Sequence, residues 1–396
     1  MVQAPNPRLL SLDVFRGATV ALMILVNNPG SWAHLYPPLA HAGWHGVTPT
    51  DLVFPFFLFA VGHALALVMP GLRTASSGAF LRRVAQRVAL IFALGLLLNA
   101  APFVYWTADG ALALKSFETL RTMGVLQRIA LCFGAAALLV WGLQERAGAR
   151  GVLMAAAALL VGYWWACLSF GDPTDAYGLL GWFGTGVDRA LLGVNHLYRG
   201  EGLPFDPEGL ASTPPAIAQV LLGWWVGHTL LQHGRVDAPL LLRFFLAALL
   251  LGALAYVWQL ALPLNKKIWT PSYVLLSTAL ALATLAALMH SLENLPAEAP
   301  RSFLVRLCAA FGRNPLLIFV LAGLVPRVLG LLRWPDAFRP DGSVAYTSPL
   351  PWVYQNVFAG IGGDPRLGSL LFACANLSVY AGLALWLDRR RLYLRV

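Results

Sequence analysis

The sequence is short of charge, of lysine and of cysteine. Only 12% of its 396 residues are charged, whereas soluble domains carry about 25%. Its four cysteines lie far apart, which predicts neither a disulfide framework nor a cysteine-based metal site. The shortage of charge excludes an ordinary soluble protein, because uncharged runs such as 88–101 and 244–262 have the length and polarity of membrane segments.

Long apolar runs take the place of the missing charge, and 58% of the residues are hydrophobic. A helix needs about 20 apolar residues to cross the hydrocarbon core. The runs predict an all-α membrane protein, a polytopic bundle of about ten transmembrane helices in a single domain over 1–396. The predicted spans are 12–28, 51–69, 84–104, 122–142, 151–170, 214–232, 240–262, 271–291, 308–332 and 367–387.

The arginines indicate the orientation of these spans. They cluster in alternate short loops, as the positive-inside rule predicts for the cytoplasmic side, and both termini are then cytoplasmic. The net charge of +10 follows from this rule, and no nucleic-acid partner is expected. The inner-side arginines are Arg73, Arg82, Arg83, Arg87, Arg146, Arg150, Arg235, Arg243, Arg301, Arg306, Arg389, Arg390, Arg391 and Arg395.

The first outer loop, between Asn27 and Asp51, has no charged residue but contains His34, His41 and His45. Such a loop could fold back onto the helices and place an imidazole at the membrane boundary for proton transfer. An ordinary surface loop with incidental histidines is the alternative. The i, i+4 spacing of the last two would suit a metal, but intervening glycines argue against a helix, and no metal is expected.

The residues before the second span have the pattern of a helix start. Thr48 suits an N-cap, Pro49 the first helical position, and Asp51 the first-turn carboxylate. Capping alone explains Asp51, but the same carboxylate could orient a histidine or receive a cationic substrate. Both interpretations stay open.

Strongly polar residues inside predicted spans are functional candidates. Asp13 and Arg16 have the spacing of an i, i+3 ion pair. Arg128 and Arg313 each need a partner, and a phosphate-bearing ligand, a carbonyl or an aspartate would serve. Gly223-x-x-x-Gly227 has the spacing of a close helix contact, which makes a homodimer a candidate partner.

Polar residues in the later outer loops would border an outward-facing cavity. They are Asp206 and Glu208 before the sixth span, and Asn265 and Lys267 between the seventh and eighth. Carboxylates, amides and amines of this kind suit a sugar site, and solvated loop charge is the alternative.

Taken together, several motifs resemble the heparan-alpha-glucosaminide N-acetyltransferase family, within the wider transmembrane acyltransferases. They recur in order along nearly the whole chain, although each alone is weak. The matching segments are SLDVFRG (11–17), the loop 27–41, DLVFP (51–55), GVLQR (124–128), FDPEG (205–209), PAIA (215–218) and LNK (264–266).

The resemblance implies transfer of an acetyl group from cytoplasmic acetyl-CoA to the amine of a glucosamine-type sugar across the membrane. The family's active-site asparagine and histidine map onto Asn27 and His41, with the same interval between them. The lysosomal enzyme has a lumenal domain and a leading helix that this sequence lacks. We therefore expect a minimal, bacterial-type enzyme, a single transmembrane acyltransferase-like domain in the inner membrane.

With this reaction expected, chemistry suggests the roles of His41 and Asn27, and position along the chain suggests those of the remaining candidates. His41 would be a general base or an acetylated nucleophile, and Asn27 would stabilise the oxyanion. Asp51, Asp206, Glu208, Asn265 and Lys267 would contact the sugar. The acetyl-CoA phosphates would bind inner-face arginines, with Arg82, Arg83, Arg87, Arg128 and Arg313 as candidates. An amino-sugar transporter without acyl transfer is the alternative function.

Overall fold

The protein is mostly helical in the computed structural model, which describes residues 9–74, 76–293, 301–338 and 344–394. Two short antiparallel hairpins, β1 (Val104–Trp106) with β2 (Leu112–Leu114) and β3 (Trp334–Phe338) with β4 (Val344–Thr347), lie in loops. The two ends of the chain and Arg395 lie outside the described residues.

Twelve α-helices are described, and most of them follow the predicted spans to within a few residues. They are α1 (Leu10–Asn27), α2 (Val53–Arg73), α3 (Ser77–Ala100), α4 (Val125–Phe170), α5 (Phe183–Leu192), α6 (Thr213–His233), α7 (Ala238–Trp258), α8 (Pro271–Leu292), α9 (Phe303–Arg313), α10 (Pro315–Leu329), α11 (Pro349–Val353) and α12 (Pro365–Arg389). The short helices α5 and α11 and both hairpins lie between the predicted spans and were not predicted from the sequence.

Six of the described helices are long and apolar enough to cross a membrane, or seven if α9 and α10 form one broken span. Helix α4 has 46 residues, about 69 Å at 1.5 Å per residue, and the hydrocarbon core is about 30 Å thick. Its backbone leaves helical geometry at Gly148 (φ 62°), between the predicted fourth and fifth spans. A multi-pass membrane protein is confirmed, and the count of ten stays a prediction.

The predicted ninth span, 308–332, is wrong as a single helix. Helices α9 and α10 meet at Asn314 with a bend of 83°. Pro315 begins α10, and a proline favours the first helical position because its missing N–H is not needed there. The Asn314 side chain donates to the carbonyl of Leu392 (2.8 Å) and accepts from the N–H of Leu394 (2.9 Å), which stabilises the break.

Glycines bring several helix backbones into direct contact. A Cβ at Gly17 would overlap the carbonyl of Cys308, and one at Gly312 would overlap the carbonyl of Asp13, so α1 and α9 touch. Gly223 and Gly227 face the backbone of α2 in the same way. The small-residue motif therefore packs within the chain, which removes its support for a homodimer.

The outward surface of the bundle is apolar. Helix α7 exposes Leu246, Leu249, Leu250 and Leu254, each between 47% and 71%. Helices α2, α6 and α8 are mostly buried at the centre. An aliphatic surface of this extent is what a bilayer would cover.

Candidate active site

A cavity of about 310 Å³ lies among the first loop, the start of α4 and the loops that precede α6 and α8. Five residues with predicted site roles line it, namely Asn27, His41, Asp51, Glu208 and Lys267. Further lining residues without a predicted role include Trp44, Arg121, Tyr198, Glu201 and Lys266. We call this space the outer cavity.

The first loop folds around the carboxylate of Asp51, which is only 1% exposed. Its Oδ2 accepts hydrogen bonds from the backbone N–H groups of Ala42 and Thr48, each at 3.0 Å. Thr48 and Asp51 form the predicted capping box, and the Thr48 hydroxyl also donates to the carbonyl of Ala40 (2.7 Å). The carboxylate therefore both begins a helix and holds the loop in place.

The second oxygen of Asp51 orients His41. Oδ1 lies 2.7 Å from His41 Nδ1, and a carboxylate can only accept there, so Nδ1 carries the hydrogen. Nε2 is then the basic nitrogen. The imidazole side chain is 42% exposed and lines the outer cavity. This is the arrangement of a general base with an orienting carboxylate.

Lys266 is the third member of this group. Its Nζ lies 3.5 Å from Asp51 Oδ1, with which it forms a charge pair. It also lies 3.1 Å from His41 Nδ1, which is not a hydrogen bond when Nδ1 carries its hydrogen, because both groups are then donors. Burial lowers the pKa of Lys266, while the Asp51 carboxylate opposes that shift. The neighbouring turn is tied to the first loop, because Gly46 N–H donates to the carbonyl of Leu264 (2.8 Å). Lys266, which has no predicted role, thus belongs to the site.

The opposite wall is an ion cluster around Arg121. Its guanidinium donates to both oxygens of Asp206 (2.8 and 2.7 Å) and to Glu208. It also lies over the ring of Tyr198, 4.7 Å from the centroid. Burial acts to lower the pKa of Arg121, but the Asp206 and Glu208 carboxylates outweigh it and raise that pKa. The ion pair between Arg121 and Glu208 holds the Glu208 carboxylate at the cavity surface.

Trp44 and Lys267 form the remaining side of the cavity. Lys267 Nζ donates to Glu201 Oε2 (2.5 Å) and lies 5.6 Å from the Trp44 ring centroid. The Trp44 indole N–H donates to the carbonyl of Tyr177 (2.9 Å), which fixes the ring. Fixed aromatic rings beside carboxylates suit an aminated sugar ring.

Three residues with predicted binding roles lie behind the cavity wall instead of on it. Asp206 is fully buried under Arg121, and Asn265 is fully buried in its turn, where Oδ1 accepts from Ile268 N–H (3.0 Å). Arg128 is also fully buried, bonds the Gly209 carbonyl (2.7 Å) and lies 5.3 Å from the Trp269 centroid. These contacts hold the outer loops in place. They are contacts within the protein, whereas the predicted roles were contacts with the sugar and with acetyl-CoA.

Two of the five predicted acetyl-CoA arginines line a second cavity, which we call the inner cavity, of about 650 Å³. Arg87 and Arg313 lie there together with Arg16. Arg313 pairs with Asp388 (2.5 Å), so an aspartate satisfies it. Arg82 and Arg83 lie exposed on α3, outside this lining.

The two cavities adjoin at an apolar layer. Phe57, Ile129 and Phe319 line both of them. They come from α2, α4 and α10, so three helices meet at this layer.

The residues without a predicted role carried weak signals in the sequence. Lys266 follows Asn265 in the LNK motif, and Arg121 lies three residues before the GVLQR motif. Arg121 also lies in a loop on the side opposite the arginine clusters, which is unusual under the positive-inside rule. Glu201 has no comparable signal, because its role depends on contact with Lys267, 66 residues away.

Comparison with known proteins relates the chain to N-acetyltransferases. Heparan-alpha-glucosaminide N-acetyltransferase of Homo sapiens is 29% identical over 321 residues, which is 69% of this chain and 47% of that protein. The Mus musculus protein of the same name is 28% identical over 318 residues, 67% of this chain and 46% of that protein. A family model described as a domain of unknown function matches residues 8–133. The resemblance inferred from the motifs is confirmed, and the chain spans about half the length of these relatives.

Proposed function

We propose, from the relationship to heparan-alpha-glucosaminide N-acetyltransferases, that this protein is a membrane-embedded N-acetyltransferase. It takes the acetyl group from acetyl-CoA at the inner cavity and transfers it to the amine of a glucosamine-type sugar in the outer cavity. The observation that carries the proposal is the His41 imidazole, oriented by Asp51 in a cavity next to an acidic and aromatic wall.

The chemistry needs an uncharged amine beside a thioester carbonyl. His41 Nε2 takes a proton from the sugar ammonium and releases it to solvent, and the freed amine attacks the carbonyl carbon. His41 Nε2 then takes the second proton from the nitrogen of the tetrahedral intermediate, the C–S bond breaks, and this proton passes to the departing CoA thiolate. Asn27 lines the same cavity and would donate to the oxyanion, a contribution of about 3 kcal/mol in comparable sites.

The outer cavity supports an aminated acceptor. Glu201 and Glu208 would attract the ammonium group before it is deprotonated, and both already lie beside a cation. Trp44 and Tyr198 present ring surfaces to the same space, where the C–H face of a sugar would pack. The proposal therefore places the amine near His41 and the ring between the aromatic side chains.

The inner cavity supports the donor. Arg16, Arg87 and Arg313 line it, and arginines recognise phosphate groups well. From there the thioester would pass the layer of Phe57, Ile129 and Phe319 to reach His41. Acetyl-CoA is a substrate in this scheme, and a resident cofactor is not required.

Sidedness is the direct test. Purified protein is reconstituted in sealed vesicles with labelled acetyl-CoA inside and glucosamine outside. We expect labelled N-acetylglucosamine outside, because the two substrates meet only through the protein. Protein-free vesicles are the control for leakage. Product that forms only after detergent treatment would contradict transfer across the membrane, and glucosamine counterflow without acetyl-CoA would favour transport.

Asp51→Asn is expected to lower acetyl transfer by roughly 10- to 100-fold. The amide keeps the size of the side chain but removes the charge that fixes the Nδ1–H tautomer of His41. Steady-state rates with purified protein measure the effect. Asp172→Asn, an exposed aspartate in a later loop, is the matched control, and equal rates for the two variants would contradict the orienting role.

Arg87→Gln is expected to raise the KM for acetyl-CoA about ten-fold, because one charge-assisted contact to phosphate is lost. The KM for the sugar should stay unchanged. Arg150→Gln, at an exposed arginine of α4 beside the break at Gly148, is the control. A KM equal to that of wild type would remove the inner cavity from the donor path.

A further inference from the structure

A third cavity, of about 460 Å³, adjoins the outer cavity and shares Asn27 and Arg121 with it. It lies between the ends of α3 and α10. Side-chain amides dominate its polar lining, which includes Asn28, Asn99 and Gln127. Nothing in the proposed transfer reaction uses this space, which we call the lateral cavity.

Gln127 indicates that the lateral cavity takes a polar ligand. Its side chain is 1% exposed, and its Nε2 has no hydrogen-bond partner within the described part of the chain. A buried amide donor without a partner costs about 1–3 kcal/mol. A Cβ at Gly95 would overlap this amide, so glycine keeps the space that Gln127 occupies. A hydroxyl or phosphate oxygen in the cavity would satisfy it.

Arg327 indicates that the ligand is an anion. It lines the lateral cavity from α10, and its Nη1 donates to the Gly323 carbonyl of the same helix (2.6 Å). Among the described residues it forms no ion pair with a carboxylate. Its side chain is exposed in the last turn of α10. A guanidinium that lines a cavity and has no carboxylate partner is available to bind an anion.

The flanking helices indicate that the ligand comes from the bilayer. Leu97 on α3 and Val325 and Val328 on α10 are between 39% and 48% exposed, as residues that face lipid are. Their chain neighbours Leu98, Pro326 and Arg327 line the lateral cavity, so the cavity adjoins this apolar surface.

We propose that the lateral cavity binds the phosphate-linked portion of a membrane-borne acceptor, an amino sugar joined through phosphate to a lipid. Arg327 contacts the phosphate, Gln127 Nε2 donates to a sugar or phosphate oxygen, and the lipid tail leaves between α3 and α10. Asn99 Nδ2 already donates to the carbonyls of Arg121 and Met123, so only its Oδ1 is left to accept from a sugar hydroxyl. The amine then extends past Asn27 into the outer cavity towards His41. This inference rests on the proposed function and names its substrate class.

The test compares four acceptors in detergent with labelled acetyl-CoA: free glucosamine, glucosamine 1-phosphate, an alkyl glucosaminide and a prenyl-phosphate-linked glucosamine. The phosphate-linked lipid is expected to have the highest kcat/KM. Arg327→Gln should lower the ratio of kcat/KM for the phosphate-linked lipid to kcat/KM for free glucosamine by about ten-fold. Arg333→Gln is the matched control, because that guanidinium lies over Trp106 (4.0 Å) outside the cavity, and the ratio should not change.

Gln127→Leu provides a second variant, with the same expected fall in the ratio. An unchanged ratio in both variants, or equal kcat/KM for free glucosamine and the lipid, would overturn the inference while leaving the acetyltransferase proposal intact. Equal kcat/KM for glucosamine 1-phosphate and the lipid would overturn its membrane-borne part.

Binding without acetyl-CoA separates this inference from the proposed function. Thermal stabilisation by the prenyl-phosphate-linked glucosamine, lost in Arg327→Gln and kept in Arg333→Gln, would support the lateral cavity even if no acceptor were acetylated. Absence of stabilisation in the wild-type protein would overturn it.

Discussion

Replacement of His41 by alanine is expected to lower acetyl transfer by about 10²–10⁴-fold, the range that a positioned general base contributes. The variant removes the only imidazole among the residues that line the outer cavity. Because the side chain is partly exposed, the fold should survive, and an unchanged unfolding midpoint would show this. Rates with labelled acetyl-CoA and glucosamine measure the effect.

His34→Ala is the matched control, because His34 is an exposed histidine of the same loop that lies outside the outer cavity. A wild-type rate in His41→Ala, or equal losses in both variants, would contradict the assigned role. Mass measurement of wild-type protein after incubation with acetyl-CoA alone separates the two chemical routes. An acetyl adduct absent from His41→Ala supports a covalent intermediate, and no adduct supports direct transfer.

Replacement of Arg121 by leucine is expected to destabilise the protein by about 3–5 kcal/mol. Asp206 is fully buried, and without the guanidinium its charge has no ion-pair partner among the described residues. Glu208 would lose its position on the cavity wall at the same time. The unfolding midpoint in detergent should fall by at least about 5 °C, and the KM for the sugar should rise.

The double variant Arg121→Leu with Asp206→Asn tests whether the unpaired Asp206 charge causes the loss of stability in Arg121→Leu. Removal of both charges should restore part of the lost stability, because the uncompensated charge is gone. Arg235→Leu is the control, since Arg235 is 80% exposed and its pair with Asp237 is worth less than about 1 kcal/mol. Equal midpoints for Arg121→Leu and wild type would refute the argument.

The first loop could be interpreted correctly from sequence because its signals are local. The cap at Thr48 and Asp51 depends on residues three apart, and the interval between Asn27 and His41 lies within one loop. Asp51 makes contacts of both kinds, since one oxygen lies against His41 while the other accepts from the backbone; its functional role stays a prediction.

Arg121 and Arg128 illustrate what sequence could not decide. Both are arginines near the start of α4, yet Arg121 lines the outer cavity and Arg128 is fully buried beneath Gly209. Their partners lie 81 to 87 residues away. Residue type and spacing carry no information about which of two nearby arginines meets such a distant loop.

The sequence by itself determined that the protein is a helical membrane protein, because the hydrocarbon core demands runs of about 20 apolar residues that only helices can satisfy. It also determined the start of the second span at Thr48, Pro49 and Asp51, since capping is a local hydrogen-bonding requirement. Only the tertiary structure decided that Lys266 joins His41, that α9 and α10 bend apart, and that two cavities meet at one apolar layer. These features arise from contacts between distant segments, where packing selects which polar groups remain accessible to a ligand.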